Sequence, residues 1–158
     1  MPECPVHLRK LLQLFGVAPL FLMALPSWGQ QASPGWVREC PSDAFCFSRP
    51  VGLVAQPVQP IDSLTGTYRG GGVTLVFDMG AQADDGRYLE APKTQDTSIH
   101  GKPARILSAG HQVMLVVPLV RESGPYKIRF AMSLQFDGKV QPELAQRIFS
   151  SIEFKPPR

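Results

Sequence analysis

Cysteine and histidine are scarce in this 158-residue chain, which has three of each. No C-x-x-C pair, H-E-x-x-H helix or Cys/His cluster is present, so a thioredoxin-type redox site and a zinc site both lack their residues. Charge is sparse as well. Asp, Glu, Lys and Arg together make up 18% of the chain, the net charge is +3, and like charges do not run in blocks. That excludes a charged disordered tail and a dedicated nucleic-acid surface. A G-x-S-x-G nucleophile elbow is missing, which removes hydrolases of that class. Gly70-Gly71-Gly72 is not followed by the Lys-Ser/Thr of a phosphate-binding loop and precedes a strand, so it reads as a turn. After Leu25 no apolar run approaches the roughly 20 residues of a membrane span. What the chain does have is 14 Gly, 16 Pro and 44% hydrophobic residues, which describes many turns around one modest core.

The first thirty residues have the layout of a secretory signal. His7, Arg9 and Lys10 form a positive start, Leu11 to Leu25 is apolar, and Ser27 and Gly29 place small residues three and one before a cleavage point after Gly29. An uncleaved anchor is the weaker reading, because Gly16 and Pro19 interrupt the run and Pro26 ends it. No Cys stands just after the apolar stretch, so lipid anchoring has no support. Cleavage would leave a nearly neutral, periplasmic chain and would remove Cys4. Cys40 and Cys46 would then be the only pair in an oxidising compartment, and a disulfide between them is expected. The expected organisation is a signal peptide over residues 1–29, a lead-in over 30–43 that opens the disulfide ring, and a single α+β domain over 44–158.

Within that domain Phe45-Cys46-Phe47-Ser48 reads as a short strand with both phenylalanines on one face. Pro50, Pro57 and Pro60 favour an extended edge connection over Val51 to Ile61. Leu64–Tyr68 and Val73–Phe77 are two strands joined at the glycine turn. Ala81 to Ser98 is a polar stretch read as one long loop. A weak strand surrounds Ala104 to Leu107, and Val113–Val117 is apolar enough to be buried on both faces, with Pro118 near its end. Arg121 to Pro125 reads as a turn. Tyr126, Ile128, Phe130, Met132, Leu134 and Phe136 alternate with Lys127, Arg129, Ala131, Ser133 and Gln135, the pattern of a long amphipathic strand. Pro142 opens a helix whose apolar face is Leu144, Ala145, Ile148 and Phe149. Ile152 and Phe154 return to strand spacing.

Several stretches taken in order carry a family resemblance. They are Phe45-Cys46-Phe47-Ser48 with Pro50 and Gly52, Val73-Thr74-Leu75-Val76-Phe77-Asp78-Met79-Gly80, Gly101-Lys102-Pro103-Ala104, and the ending from Leu144 to Phe154. Over about residues 44 to 155 the chain resembles the Mog1/PsbP-like family of small exported domains. The resemblance implies an α+β fold, an antiparallel β-sheet with a C-terminal packing helix, used for binding and assembly rather than catalysis. It carries over no catalytic residues. The chain departs from the family in showing little helix before residue 141.

Asp78, Asp84, Asp85 and Asp96 gather acid around the polar stretch, and calcium is the ion such oxygens would take, although the spacing fits no EF-hand. The blander reading is that these acids keep an exposed loop solvated. Asp84, Asp85, Arg87, Tyr88 and Glu90 are the candidate partner-binding residues of the same loop. Arg121, Lys127, Arg129 and Lys139 read as the solvated face of the long strand. His100 and His111 read as loop histidines.

The expected function is therefore non-enzymatic binding of another protein, a toxin or an envelope component, with neutralisation of a secreted bacterial toxin by an immunity protein as one concrete form. A small-ligand-binding or envelope-maintenance protein is the alternative, with a pocket lined by Phe45, Phe77, Phe130 and Phe136. An enzyme would need the loop acids beside His100 or His111.

Overall fold

Alternation of apolar side chains along Val73–Gly80 and Tyr126–Phe136 fixes the orientation of the main sheet, because both strands turn a full apolar row to the same side. The computed structural model describes residues 35–59 and 62–156. The signal peptide expected over 1–29 lies outside them. The strands are β1 (Trp36–Ser42), β2 (Phe45–Pro50), β3 (Val54–Gln56), β4 (Leu64–Gly70), β5 (Val73–Gly80), β6 (Lys93–Ile99), β7 (Lys102–Ala109), β8 (Gln112–Ser123), β9 (Tyr126–Phe136) and β10 (Glu153–Phe154). The single helix among the described residues is α1 (Pro142–Ser150). Every strand pair is antiparallel. The strands form a small sheet in the order β1-β2-β10 and a seven-stranded sheet in the order β3-β4-β5-β9-β8-β7-β6. The chain is thus a β-rich α+β domain with one short helix near its C-terminus, as expected.

Val73, Leu75, Phe77 and Met79 of β5 and Phe130, Met132, Leu134 and Phe136 of β9 are all buried in the principal core. Phe45 and Phe47 of β2 close that core from the small sheet. Phe45 meets Phe77 and Phe130 edge-on at centroid distances of 5.1 and 4.9 Å, and Phe47 meets Tyr68 at 5.7 Å. The amphipathic face of α1 adds Ala145, Ile148 and Phe149, and the helix touches β2 and β8. Ser151, just past the helix, ties it to β2: its hydroxyl donates to the Ile148 carbonyl at 2.6 Å and accepts from the Ser48 N–H at 2.8 Å. The Arg147 guanidinium lies 4.0 Å from the centre of the Trp36 ring, joining α1 to β1.

Four expectations change in the structure. The lead-in over 30–43 contains β1, a full strand, because pairing with β2 satisfies its backbone despite its polar side chains. The polar stretch 81–98 is not one loop, since Lys93–Ile99 pairs residue for residue with β7. Pro118 does not end its strand and Arg121 does not start a turn. β8 runs on to Ser123 through a register shift between Val117 and Arg121, and such an irregularity is where a sheet tolerates proline. The actual turn is Gly124-Pro125. Finally, Phe45, Phe77, Phe130 and Phe136 fill space among the described residues rather than opening it. At 0–2% exposure they are packed into the core.

Cys40 and Cys46 are joined as a disulfide across the β1–β2 hairpin, with Cα atoms 4.2 Å apart. A loop this short limits the entropic gain, so Cys40→Ala with Cys46→Ala is expected to lower stability by about 2 kcal/mol without loss of fold. Urea midpoints of the two forms measure this, and a double variant that fails to fold would show that the hairpin depends on the bond.

Candidate functional site

The 81–92 segment is held down by local chemistry. Asp84 accepts the Gly86 N–H on its Oδ1 at 2.8 Å, forming a turn that sends the chain back toward the sheet. Asp85 accepts from the Arg87 N–H and from its guanidinium at 2.8–3.2 Å. The Arg87 hydrogen bonds hold the Asp85 carboxyl well below the usual carboxylate range. The stability this pair contributes is present above the ordinary aspartate pKa and is lost only as pH falls through the lowered value. An NMR titration should place the Asp85 midpoint well below the ordinary range, and Arg87→Ala should return it there.

Beneath this turn, Leu107, Met114, Val116 and Ala131 form a second apolar cluster on the face of the sheet opposite the main core, with Leu89 packed against it. Ala83 is buried, and Gly86 sits at φ +80° where an added Cβ would collide with Leu107. The segment is therefore a cover for apolar surface. Gly86→Ala is expected to cost about 1–3 kcal/mol through strain and overpacking, and to raise hydrogen exchange across residues 83–89. Unchanged exchange there would show that the cover is not seated by Gly86.

The expected site residues separate accordingly. Asp84, Asp85 and Arg87 are spent on local structure. Tyr88, 82% exposed, and Glu90 are the members of the set that project without such a partner bond among the described residues. Asp78 lies on β5 opposite Ala131, and its Oδ1 is buried without a hydrogen-bond partner. Asp96 lies on β6 across from Arg105. Among the described residues no three His, Cys, Asp or Glu side chains gather to hold a metal ion, so Asp78, Asp84, Asp85 and Asp96 are not brought together as a calcium site. Sequence proximity misleads here because β5, the turn and β6 occupy different places on the sheet. His100 and His111 each contact backbone. The His100 Nδ1 accepts the Phe154 N–H at 3.2 Å, and His111 Nδ1 lies 2.8 Å from the Gly138 carbonyl. Of the basic group, Lys127 and Lys139 are exposed and Arg121 and Arg129 are half-buried.

A larger feature lies on the core face, at the end of the sheet that α1 does not reach. The helix contacts β2 and β8, and a helix about 10–12 Å wide covers only about two strands spaced about 4.8 Å apart, so β7 and β6 lie beyond it. The result is an open groove of about 620 Å³. Its floor and walls include Ile99, Ile106, Val113, Val140, Ala145 and Phe149. Along its outer side Lys93, Gln95 and Thr97 recur at every second residue of β6, and Gln146 stands on the helix rim. Lys93 and His100 are its ionisable side chains, and no Asp or Glu lines it among the described residues.

Only part of this was accessible from sequence. The helix face and the strand at Ala104–Leu107 were legible, but β6 was hidden because Lys93-Thr94-Gln95-Asp96-Thr97-Ser98 has no apolar alternation. The usable signal was Ile99 and Lys102 flanking His100-Gly101, where both central residues have positive φ, the two-residue hairpin turn that joins antiparallel strands.

The fold and groove define a β-rich α+β domain with an open groove of mixed polar and apolar lining. Compared with known proteins, the chain matches no family model, no curated protein and no solved structure. Among the described residues no helix is long and apolar enough to cross a membrane.

Proposed function

We propose that the chain is an exported, non-catalytic binding module of the Mog1/PsbP-like kind that captures another protein in the periplasm. The observation that carries this reading is the groove between α1 and the β6 end of the sheet, which joins an apolar floor to a polar rim beside a β6 edge that is unpaired among the described residues. The disulfide fits an oxidising compartment. Toxin neutralisation remains the concrete form of the proposal, but the contact is assigned to the groove rather than to residues 81–98, because the turn at 81–92 is occupied in covering the sheet. Small-ligand binding is the second reading, favoured by a groove volume within the range of about 300–1,000 Å³ common for ligand sites.

The test is expression of the full chain, with mass spectrometry of the exported product and site-specific photo-crosslinking in envelope extract. A product starting at Gln30 and a stoichiometric crosslink from position 146 but not from position 88 are expected. A retained N-terminal segment would overturn export, and crosslinking from position 88 alone would move the site to the turn.

A further inference from the structure

We propose that the partner enters as an extended peptide segment that adds as an antiparallel strand to β6, placing alternate apolar side chains in the groove and an acidic group at its C-terminal end beside Lys93. This deepens the reading of the groove as the binding site and rests on it.

The edge itself is the first support. β6 ends the large sheet and pairs with β7 without interruption from Lys93↔Ser108 to Ile99↔Lys102. One side of its backbone is thus fully laddered. Among the described residues no backbone hydrogen bond reaches the side that faces away from β7. The opposite edge of the same sheet is a poorer template. There β3 has three residues and runs directly into Pro57, which cannot donate a backbone hydrogen bond. β6 has seven residues, no proline and no bulge. A long regular edge is a site of strand addition unless something covers it. Its polar side chains, with Lys93 and Asp96 among them, discourage pairing between identical copies while leaving the backbone available.

The groove supplies what backbone pairing lacks, which is selectivity. A strand added beside β6 projects every second side chain toward the core face, the face on which Lys93, Gln95 and Thr97 border the groove. Ile99, Ile106, Val140 and Phe149 give those side chains an apolar floor. Charge then selects direction. Lys93 stands at the start of β6 and no acid lines the groove among the described residues, so an anionic group on the partner meets an uncompensated cation. In an antiparallel addition the C-terminal end of the partner segment lies at that position. The partner is accordingly a segment of about seven residues, the length of β6, with alternating apolar residues and an acid or free carboxylate at its C-terminal end.

The experiment pans a library of random peptides, displayed with free C-termini, against the exported protein, and measures the enriched peptides by calorimetry and amide hydrogen exchange. Enriched sequences should alternate apolar and polar residues and end in an acid. Binding should slow exchange at the alternate β6 amides that point away from β7. N-methylation of alternate peptide nitrogens should weaken binding at least about tenfold, and Lys93→Glu about five- to tenfold. Gln146→Trp, which fills the groove from an exposed helix position, should abolish it while leaving the thermal midpoint unchanged. No enrichment, or binding indifferent to N-methylation, would overturn strand addition. Occupation of the groove by decanoate with no peptide enrichment would also overturn it, in favour of a small amphipathic carboxylate. Crosslinking of a partner from position 146 that persists when β6 exchange is unaltered would leave the groove as the site and remove only this mode of use.

Discussion

Phe45→Ala is expected to lower the unfolding free energy by about 3–5 kcal/mol, the range for deleting a fully buried phenylalanine ring. The ring is completely buried and is the point where the two sheets meet. It packs edge-on to Phe77 and Phe130 from the large sheet and lies 6.0 Å from Phe47 of its own strand. Removal leaves a cavity that the neighbours cannot fill, because Phe77 is fixed by β5 and Phe130 by β9, both central strands paired along their length. For a domain whose total stability is of order 5–15 kcal/mol, that loss is at least about a fifth of the margin. Urea unfolding followed by tryptophan fluorescence measures it, with Trp36 on β1 reporting the small sheet directly. Phe45→Leu, which retains most of the volume, should recover more than half of the difference. A loss below about 1.5 kcal/mol for the alanine variant would mean that the small sheet contributes little to the cooperative unit.

That this cluster would be the centre of the protein was partly legible. Strand period puts Phe130 and Phe136 in one apolar row, and the same reasoning puts Phe45 and Phe47 together. Which partners those rows would meet was not, since period-2 alternation fixes the face of a strand but leaves its neighbour open. The reading of Phe45, Phe77, Phe130 and Phe136 as a pocket failed for that reason: four aromatic rings on inward faces either line a cavity or fill it, and here the small sheet brings Phe45 into the space the others leave. β8 shows the opposite balance. Its run Val113–Val117 is apolar enough to predict burial on both faces, and all five residues are buried, yet the segment that covers the second face has the composition of a free loop. The cover at this cluster is Gly86 and Leu89, too few and too small to register as an apolar pattern between Asp84, Asp85, Arg87 and Glu90. The groove was the least legible feature, because it is created by what α1 fails to cover, and a helix's reach across a sheet cannot be read from its own sequence.

Arg49→Ala is expected to cost about 2–4 kcal/mol, more than any exposed ion pair in the domain, because Arg49 holds three separate elements at once. Its Nε and Nη2 donate to Glu39 Oε2 at 3.1 and 2.7 Å, joining β2 to β1. Its Nη1 donates to the Leu53 carbonyl in the connection to β3. Its guanidinium lies over Tyr68 of β4, 4.9 Å from the ring centre. The Arg49 side chain is only 14% exposed, so truncation strands a half-buried Glu39 carboxylate and the Leu53 carbonyl rather than returning them to bulk water. Burial also pushes the Tyr68 phenol upward, the mark of a poorly solvated corner. Arg49→Lys keeps the charge but not the fork or the planar stack, and should recover less than half of the loss. The Arg38–Glu153 pair provides the comparison. It has a similar 2.7 Å contact but both side chains are about half exposed, so Arg38→Ala should cost at most about 1 kcal/mol and lose even that in 1 M salt. The Arg49 effect should survive the same salt, since a shielded pair is poorly screened. If high salt erased both alike, the Arg49 contacts would be surface electrostatics, and the junction between the two sheets would rest on the Phe45 cluster alone.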